Sequence, residues 1–161
     1  MQKNAKKVQP AKQYRTEASR VRDLLDLLHC GHSPWGPLKT ATEFDFQSGR
    51  TDVIALSETG VVLAFEAKLK RWKEALHQAY RNTCFSTVSY VVLPESVALR
   101  AQSFIEDFDL RGVGICCVTR GELVVLHAPR STTPVLPWLT ERAIETAMKS
   151  RSGWKTGQPN S

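Results

Sequence analysis

Apolar residues recur along the chain with two spacings, one typical of helices and the other typical of strands. Between positions 14 and 29 they return every three or four residues, which predicts an amphipathic helix. Positions 88–93 form an unbroken apolar run before Pro94, as expected for a buried central strand. The same reasoning predicts strands at 43–46, 51–56, 61–68, 112–118 and 122–127, and helices at 72–85, 95–108 and 138–150.

The order of these elements predicts an α/β fold. Helices that separate strands along a chain favour a mixed central β-sheet flanked by helices on both faces. The 161 residues are enough for one domain with its own core, which we place at 14–150. The polar residues at 1–13 predict a disordered basic arm, and 151–161 is predicted to be a flexible tail.

The strands at 51–56 and 61–68 are predicted to form a hairpin whose turn sets its register. A three-residue turn at 58–60 needs a left-handed conformation at its last residue, and Gly60 is suited to it. Ser57 then faces Val61, and each further pair of facing residues has numbers that add up to 118. This register places Asp52 opposite Glu66 on the same face of the sheet as Lys68.

These three side chains predict a metal site for phosphate chemistry. Facing residues have Cβ atoms roughly 5 Å apart, and two carboxylates at that distance repel each other unless a cation separates them. Hard oxygen ligands suit Mg²⁺, and Mn²⁺ can substitute, with waters and a substrate phosphate completing the coordination. Lys68 would then orient a water or stabilise developing negative charge. The alternative is a cross-strand ion-pair ladder of Asp52, Glu66 and Lys68 on a solvated face.

The motifs around these residues resemble those of the PD-(D/E)XK nuclease superfamily. Gly49-Arg50-Thr51-Asp52 is followed by Phe65-Glu66-Ala67-Lys68 and then by a predicted helix that carries Gln78. This is similar to the G-x-x-D, E-x-K and Q pattern of the members related to RecB and to Holliday-junction resolvases. The chain departs from the Q-x-x-x-Y form because position 82 is Asn.

The resemblance implies a fold and a set of roles. It implies a restriction-endonuclease-like core in the order αβββαβ, here over about 14–93. Asp52 and Glu66 would be metal-binding carboxylates, the carbonyl of Ala67 would be a further ligand, and Lys68 would be the catalytic lysine. Gln78 would be the helical glutamine that helps to order the site. The implied reaction is cleavage of DNA that leaves a 5′-phosphate.

Glu17 lies on the apolar stripe of the first predicted helix, where a carboxylate normally needs a partner. Many members of the superfamily carry an acidic residue in this helix that reaches the metal site, and the resemblance therefore adds Glu17 to the catalytic set. The alternative is a first-turn acid that is favoured by the helix dipole.

Basic residues near the motifs are candidates for contact with the phosphates of a nucleic acid. Arg50 lies beside Asp52, a cluster follows the E-x-K motif, and Arg81 lies further along the next helix; the set is Arg50, Lys70, Arg71, Lys73 and Arg81. The alternative for the cluster after the motif is a solvated start of a helix.

Charge and cysteine usage limit the class of protein. The net charge is +6, and residues 1–22 hold seven Lys and Arg against one Glu, whereas the rest of the chain is balanced. Such segments bind polyanions in many proteins, although others only aid solubility. Four cysteines without a C-x-x-C pair favour reduced thiols in the cytoplasm. No run approaches the roughly 18 apolar residues of a membrane-spanning helix, so no membrane association is expected.

We therefore predict a Mg²⁺-dependent deoxyribonuclease, with endonuclease activity favoured over exonuclease activity. The alternative is a catalytically inactive module that binds nucleic acid or a partner protein on the same fold. RNA remains open as a substrate, because recognition of its 2′-hydroxyl leaves no signal in this sequence. A homodimer is one way to place two sites across a duplex or a junction.

Overall fold

The computed structural model describes residues 16–47, 49–150 and Trp154. The predicted arm lies outside these residues, as does the predicted tail apart from Trp154. In the described ranges no helix is both long enough and apolar enough to cross a membrane. The elements are α1 (Glu17–Cys30), β1 (Lys39–Phe46), β2 (Gly49–Leu56), β3 (Val62–Ala67), α2 (Trp72–Asn82), β4 (Val88–Leu93), α3 (Glu95–Gln102), α4 (Ile105–Arg111), β5 (Val113–Thr119), β6 (Glu122–His127) and α5 (Pro137–Met148).

The six strands form one mixed sheet in which they lie in chain order, from β1 to β6. The first three strands are antiparallel, β3 to β5 are parallel, and β6 returns antiparallel to β5. The parallel connection between β3 and β4 runs through α2, as such connections require a crossover. The predicted α/β class with a mixed sheet flanked by helices is therefore confirmed, and the elements from α1 to β4 follow the order αβββαβ.

Successive strand residues point to opposite faces of the sheet, and both faces are apolar. Helices therefore cover the sheet on both sides. On one face, α1 buries Leu24 and Leu28 against a cluster that includes Phe65 of β3. On the other face, α2, α3 and α4 pack on β4 and β5, and α5 packs on β1 and β2. Trp154, which falls in the segment predicted as a tail, is half-buried against the cluster around α5.

Three elements show the clearest differences from the sequence prediction. The helix predicted at 95–108 is two helices, because the chain leaves helical geometry at Phe104, whose φ is −113° and ψ is 31°. The strand predicted at 43–46 begins at Lys39, because residues 39–42 pair with β2. The second helix ends at Asn82 rather than at Phe85, where Thr83 and Cys84 continue only as turns.

Candidate active site

The hairpin of β2 and β3 has the predicted register. Leu56 pairs with Val62, and Val53 pairs with Phe65. At the turn, the N–H of Ser57 donates to the carbonyl of Val61 at 3.0 Å, and Gly60 has the left-handed φ of 86° that the prediction requires. The turn chemistry therefore fixes which residues of the two strands face each other.

At the other end of the hairpin, β2 separates from β3 at Asp52, whereas its pairing with β1 resumes at Thr51 and continues to Gly49. The paired residues end at Val53 on the β3 side, and on the β1 side Glu43 interrupts the ladder with a φ of 51°. The carboxylate of Asp52 takes the place of a strand carbonyl, since its Oδ2 accepts the N–H of Ala67 at 2.9 Å. Asp52 is therefore fixed against β3 by its side chain, beside Glu66.

Glu66 is buried in the centre of the sheet and is held by the end of α2. Its side chain is 1% exposed, and its Oε1 accepts a hydrogen bond from Nδ2 of Asn82 at 2.8 Å. The amide oxygen of Asn82 in turn accepts the hydroxyl of Thr51 at 2.8 Å. Asn82 thus connects the strand of Asp52 to the carboxyl group of Glu66.

The surroundings of Glu66 favour its protonated form. Burial, followed by the negative charge of Asp52, raises the pKa of Glu66 to about 8. The hydrogen bond from Asn82 and the charge of Lys68 act in the opposite direction, but they do not outweigh the burial. A buried carboxyl beside a second carboxylate therefore holds a proton at neutral pH unless a cation replaces it.

Lys68 lies just beyond β3 between two glutamates from different helices. Its Nζ is 3.5 Å from Oε2 of Glu17 and 3.5 Å from Oε1 of Glu74, and its side chain is 17% exposed. Burial acts to lower the pKa of Lys68, but the charges of Glu17, Glu74 and Asp52 outweigh it and raise that pKa. Lys68 therefore stays protonated, and Glu17, at the first turn of α1, lies at the site as a partner of this lysine.

The remaining predicted motif residues lie on α2 and at the start of β2. Gln78 is partly buried, and its Oε1 accepts no hydrogen bond from the described residues. Arg81 packs over Gly49, where a Cβ would lie only 3.1 Å from the guanidinium nitrogens. Glycine at this position of the G-x-x-D motif is favoured by its φ of 154°, which other residues rarely adopt, and by the close approach of Arg81.

The predicted phosphate-contacting residues other than Arg81 are exposed on the surface near the site. Arg50 lies 3.9 Å from the carboxylate of Asp45, and Arg71 lies 3.6 Å from that of Glu74. Lys70 and Lys73 are exposed at the start of α2. Lys70 and Lys73 thus leave exposed positive charge shortly after the E-x-K motif along the chain.

The donor set is small, and it fits a cation that needs few protein ligands. The described residues contain no group of three or more His, Cys, Asp and Glu side chains that could hold a metal ion. Asp52 and Glu66 supply two carboxylates, and the predicted third ligand, the carbonyl of Ala67, belongs to the residue between Glu66 and Lys68. Mg²⁺ commonly binds through one or two carboxylates, with waters and substrate phosphates as its other ligands.

Sequence reasoning missed three residues of this site. Thr51 and Asn82 form the hydrogen-bonded chain to Glu66, and Glu74 is the second partner of Lys68. A signal existed for Asn82, which follows Gln78 by four residues and therefore lies on the same side of the helix. Nothing in the sequence pairs Glu74 with Lys68, because that contact depends on how α2 crosses the sheet.

Comparison with known proteins gives structural matches only. No protein-family model matches the sequence, and no curated protein matches it. The structure is similar to that of SPO1766, a protein of unknown function from Silicibacter pomeroyi, with a TM-score of 0.62, 12% sequence identity, and coverage of 84% of this chain and 86% of that one. A repair endonuclease from Pyrococcus abyssi matches with a TM-score of 0.39, 15% identity, and coverage of 77% of this chain and 50% of that one. The first match supports the fold alone.

Proposed function

We propose that the protein is a Mg²⁺-dependent nuclease of the PD-(D/E)XK type that hydrolyses phosphodiester bonds in DNA. The observation that carries this proposal is the burial of Glu66 beside Asp52 at the end of the ladder, with Lys68 two residues further along the chain. A surface ion-pair ladder would leave these side chains solvated. A buried carboxyl with a raised pKa next to a second carboxylate is instead typical of functional sites.

In this proposal each residue of the candidate site has its own role. Asp52 and Glu66 hold the metal, and Asn82 orients the carboxylate of Glu66 through its side-chain amide. When bound, Mg²⁺ would lower the pKa of a water ligand and would neutralise charge on the phosphoryl group. Lys68 stabilises the negative charge that develops on the phosphate, and Glu17 and Glu74 fix the position of its ammonium. Gln78 has a buried amide oxygen that is open to a proton donor, such as a water in the site.

The proposed substrate is DNA, with RNA as a second possibility for the test to decide. Arg50, Lys70, Arg71 and Lys73 contact phosphates on either side of the scissile bond, which makes binding dependent on salt concentration. Arg81 supports the start of β2 from beneath and contributes charge from a partly buried position. Two copies of the chain acting together would cleave both strands of a duplex.

The test is cleavage of labelled linear duplex, single-stranded, flap and four-way-junction DNA, with the matching RNA strands. Each substrate is incubated with Mg²⁺, with Mn²⁺ and with EDTA. The proteins are the natural chain, Glu66→Ala, Asp52→Ala and, as a matched control, Glu145→Ala on the exposed side of α5. We expect metal-dependent products from the natural chain and the control, and none from the two site variants.

Two results would overturn the proposal. Products that persist in Glu66→Ala and Asp52→Ala would assign the activity to another site or to a contaminant. Binding of DNA by all four proteins without cleavage of any substrate would favour the alternative of an inactive nucleic-acid-binding module.

A further inference from the structure

A partly exposed aromatic cluster joins the start of α2, which follows the E-x-K motif along the chain, to the junction of α3 and α4. The rings of Trp72 and Phe104 are 5.0 Å apart at an interplanar angle of 34°, and the ammonium of Lys73 is 5.6 Å and 5.8 Å from their centroids. Phe104 is 46% exposed, which is unusual for a phenylalanine. We call Trp72, Phe104 and Lys73 the aromatic platform.

Contacts with the core fix the position of the aromatic platform. The ring of Trp72 also stacks on Phe108, at 5.7 Å between centroids, and Phe108 is completely buried in the core. Phe104 is held at the junction of α3 and α4, where its N–H donates to the carbonyl of Ala101 at 2.9 Å. A ring fixed in this way loses little conformational entropy when a flat ligand stacks on it, once Lys73 has moved off the ring toward a phosphate.

The platform and the candidate site share the first turn of α2. Trp72 follows Lys68 by four positions, which limits the distance between their Cα atoms to about 14 Å. Glu74 lies in the same turn as Trp72 and pairs with Lys68. The exposed side chains of Lys70 and Arg71 lie between the two features along the chain. The surface from Lys68 to Phe104 therefore combines aromatic rings with positive charge.

This combination is the one that binds single-stranded nucleic acid, in which bases stack on aromatic side chains while basic residues follow the backbone. The bases of an intact duplex are stacked on one another and do not present their faces to such rings. We propose that the aromatic platform binds an unstacked base of a single-stranded DNA segment, with Lys73 on its phosphate, so that the neighbouring backbone reaches the candidate site. This inference rests on the proposed nuclease function for its orientation toward the site, but its binding step can be tested alone.

The test measures binding by fluorescence anisotropy in EDTA, so that no cleavage occurs. The probes are a labelled oligothymidine of about 12 nucleotides, an abasic strand with the same number of phosphates, and a duplex of the same length. The variants are Phe104→Leu, which keeps an apolar side chain at the helix junction, Phe104→Trp, which keeps a ring, and Leu110→Ala as a control on α4, where Leu110 is 79% exposed.

We expect Phe104→Leu to weaken oligothymidine binding about tenfold and to leave abasic-strand binding unchanged. Phe104→Trp should restore the affinity, and Leu110→Ala should have no effect. A purely structural role of Phe104 would instead lower the affinity for both strands equally. That result, or an affinity for oligothymidine that does not respond to Phe104→Leu, would overturn the inference.

The failure of this inference can be distinguished from failure of the nuclease proposal. Metal-dependent cleavage of single strands and duplexes that Phe104→Leu leaves unchanged would contradict the role of the aromatic platform and support the nuclease proposal. Binding that depends on Phe104, without cleavage under any metal condition, would support the role of the aromatic platform and contradict the nuclease proposal.

Discussion

The two ends of the hairpin formed by β2 and β3 are built in opposite ways. At the turn, backbone groups pair with one another: the N–H of Gly60 donates to the carbonyl of Ser57 at 3.0 Å, and the N–H of Ser57 donates to the carbonyl of Val61 at 3.0 Å. At the open end, the pairing of β2 with β3 ends and side chains form the hydrogen bonds: Asp52 accepts the N–H of Ala67, and Glu66 accepts the side-chain amide of Asn82.

The comparison shows where this hairpin stores unfavourable free energy. The turn end has short-range contacts that form as soon as the strands meet. The open end holds a buried carboxyl beside a second carboxylate, an arrangement that opposes folding unless a proton or a cation is bound. Changes at the open end should therefore affect stability, its pH dependence and the proposed activity, whereas changes at the turn should affect stability alone.

For the proposed nuclease, the largest expected effect is loss of cleavage on removal of Lys68. Lys68→Met should lower the cleavage rate at saturating Mg²⁺ by about 10²–10³-fold, because the variant lacks the ammonium group that stabilises the negative charge developing on the phosphate. The Mg²⁺ concentration that gives half-maximal activity should change little, since both carboxylates remain. Lys149→Met, at the exposed end of α5, serves as the control. A variant that loses metal affinity together with turnover would contradict the role of Lys68.

The pH dependence of stability should separate the two ends next. The folded pKa of Glu66 lies above its unfolded value, so its contribution to stability is complete below the unfolded pKa and is lost as the pH rises through about 8. In EDTA, the Tm should fall between about pH 5 and pH 8 and level off above pH 8, by an amount that corresponds to a few kcal/mol at most. Glu66→Gln should remove this part of the slope, and Glu145→Gln should retain it. An unchanged slope in Glu66→Gln would show that another group titrates.

A smaller loss is expected from the amide that joins α2 to the open end. Asn82→Ala removes the hydrogen-bond partner of two buried groups, the carboxyl of Glu66 and the hydroxyl of Thr51. The free energy of unfolding, measured in urea, should decrease by about 1–3 kcal/mol. Combining Asn82→Ala with Thr51→Val should cost less than the sum of the two single changes, because the buried hydroxyl is then absent. Strict additivity would show that the two side chains act independently.

The smallest expected effect lies at the turn. Gly60→Ala places a Cβ on a residue with a φ of 86°, and it should decrease the free energy of unfolding by about 1 kcal/mol. No neighbouring atom lies close enough to add a clash. The cleavage rate should stay at that of the natural chain when both proteins are folded. A clear loss of activity would show that the two ends of the hairpin are coupled.

The hairpin register could be predicted from the sequence because it depends on a local feature. Gly60 specifies the turn, the turn specifies the register, and the register brings Asp52 and Glu66 to the same end of the sheet. The boundaries of the central strand β4 were also predicted correctly, since a continuous apolar run before Pro94 has few other interpretations. Cys116 and Cys117 lie on opposite faces of β5, as strand alternation requires.

The features that could not be predicted depend on contacts between distant segments. The pairing of Glu66 with Asn82 depends on the path of α2 across the sheet, and a left-handed Glu43 in β1 carries no sequence signal comparable to a glycine. The break at Phe104 was missed because residues 95–108 have continuous helical character in the sequence. The contact of Phe104 with Trp72 becomes visible only once the two helices are placed side by side.

The position of Lys68 has a mechanical consequence. Glu17 belongs to the helix on one face of the sheet and Glu74 to a helix on the other, so a single ammonium group links the two outer layers at this end. A phosphate that approaches Lys68 competes with both carboxylates at once. Arrival of a polyanion would therefore loosen the attachment of the first turns of both helices, and backbone amide exchange in those turns would report that a strand has reached the lysine.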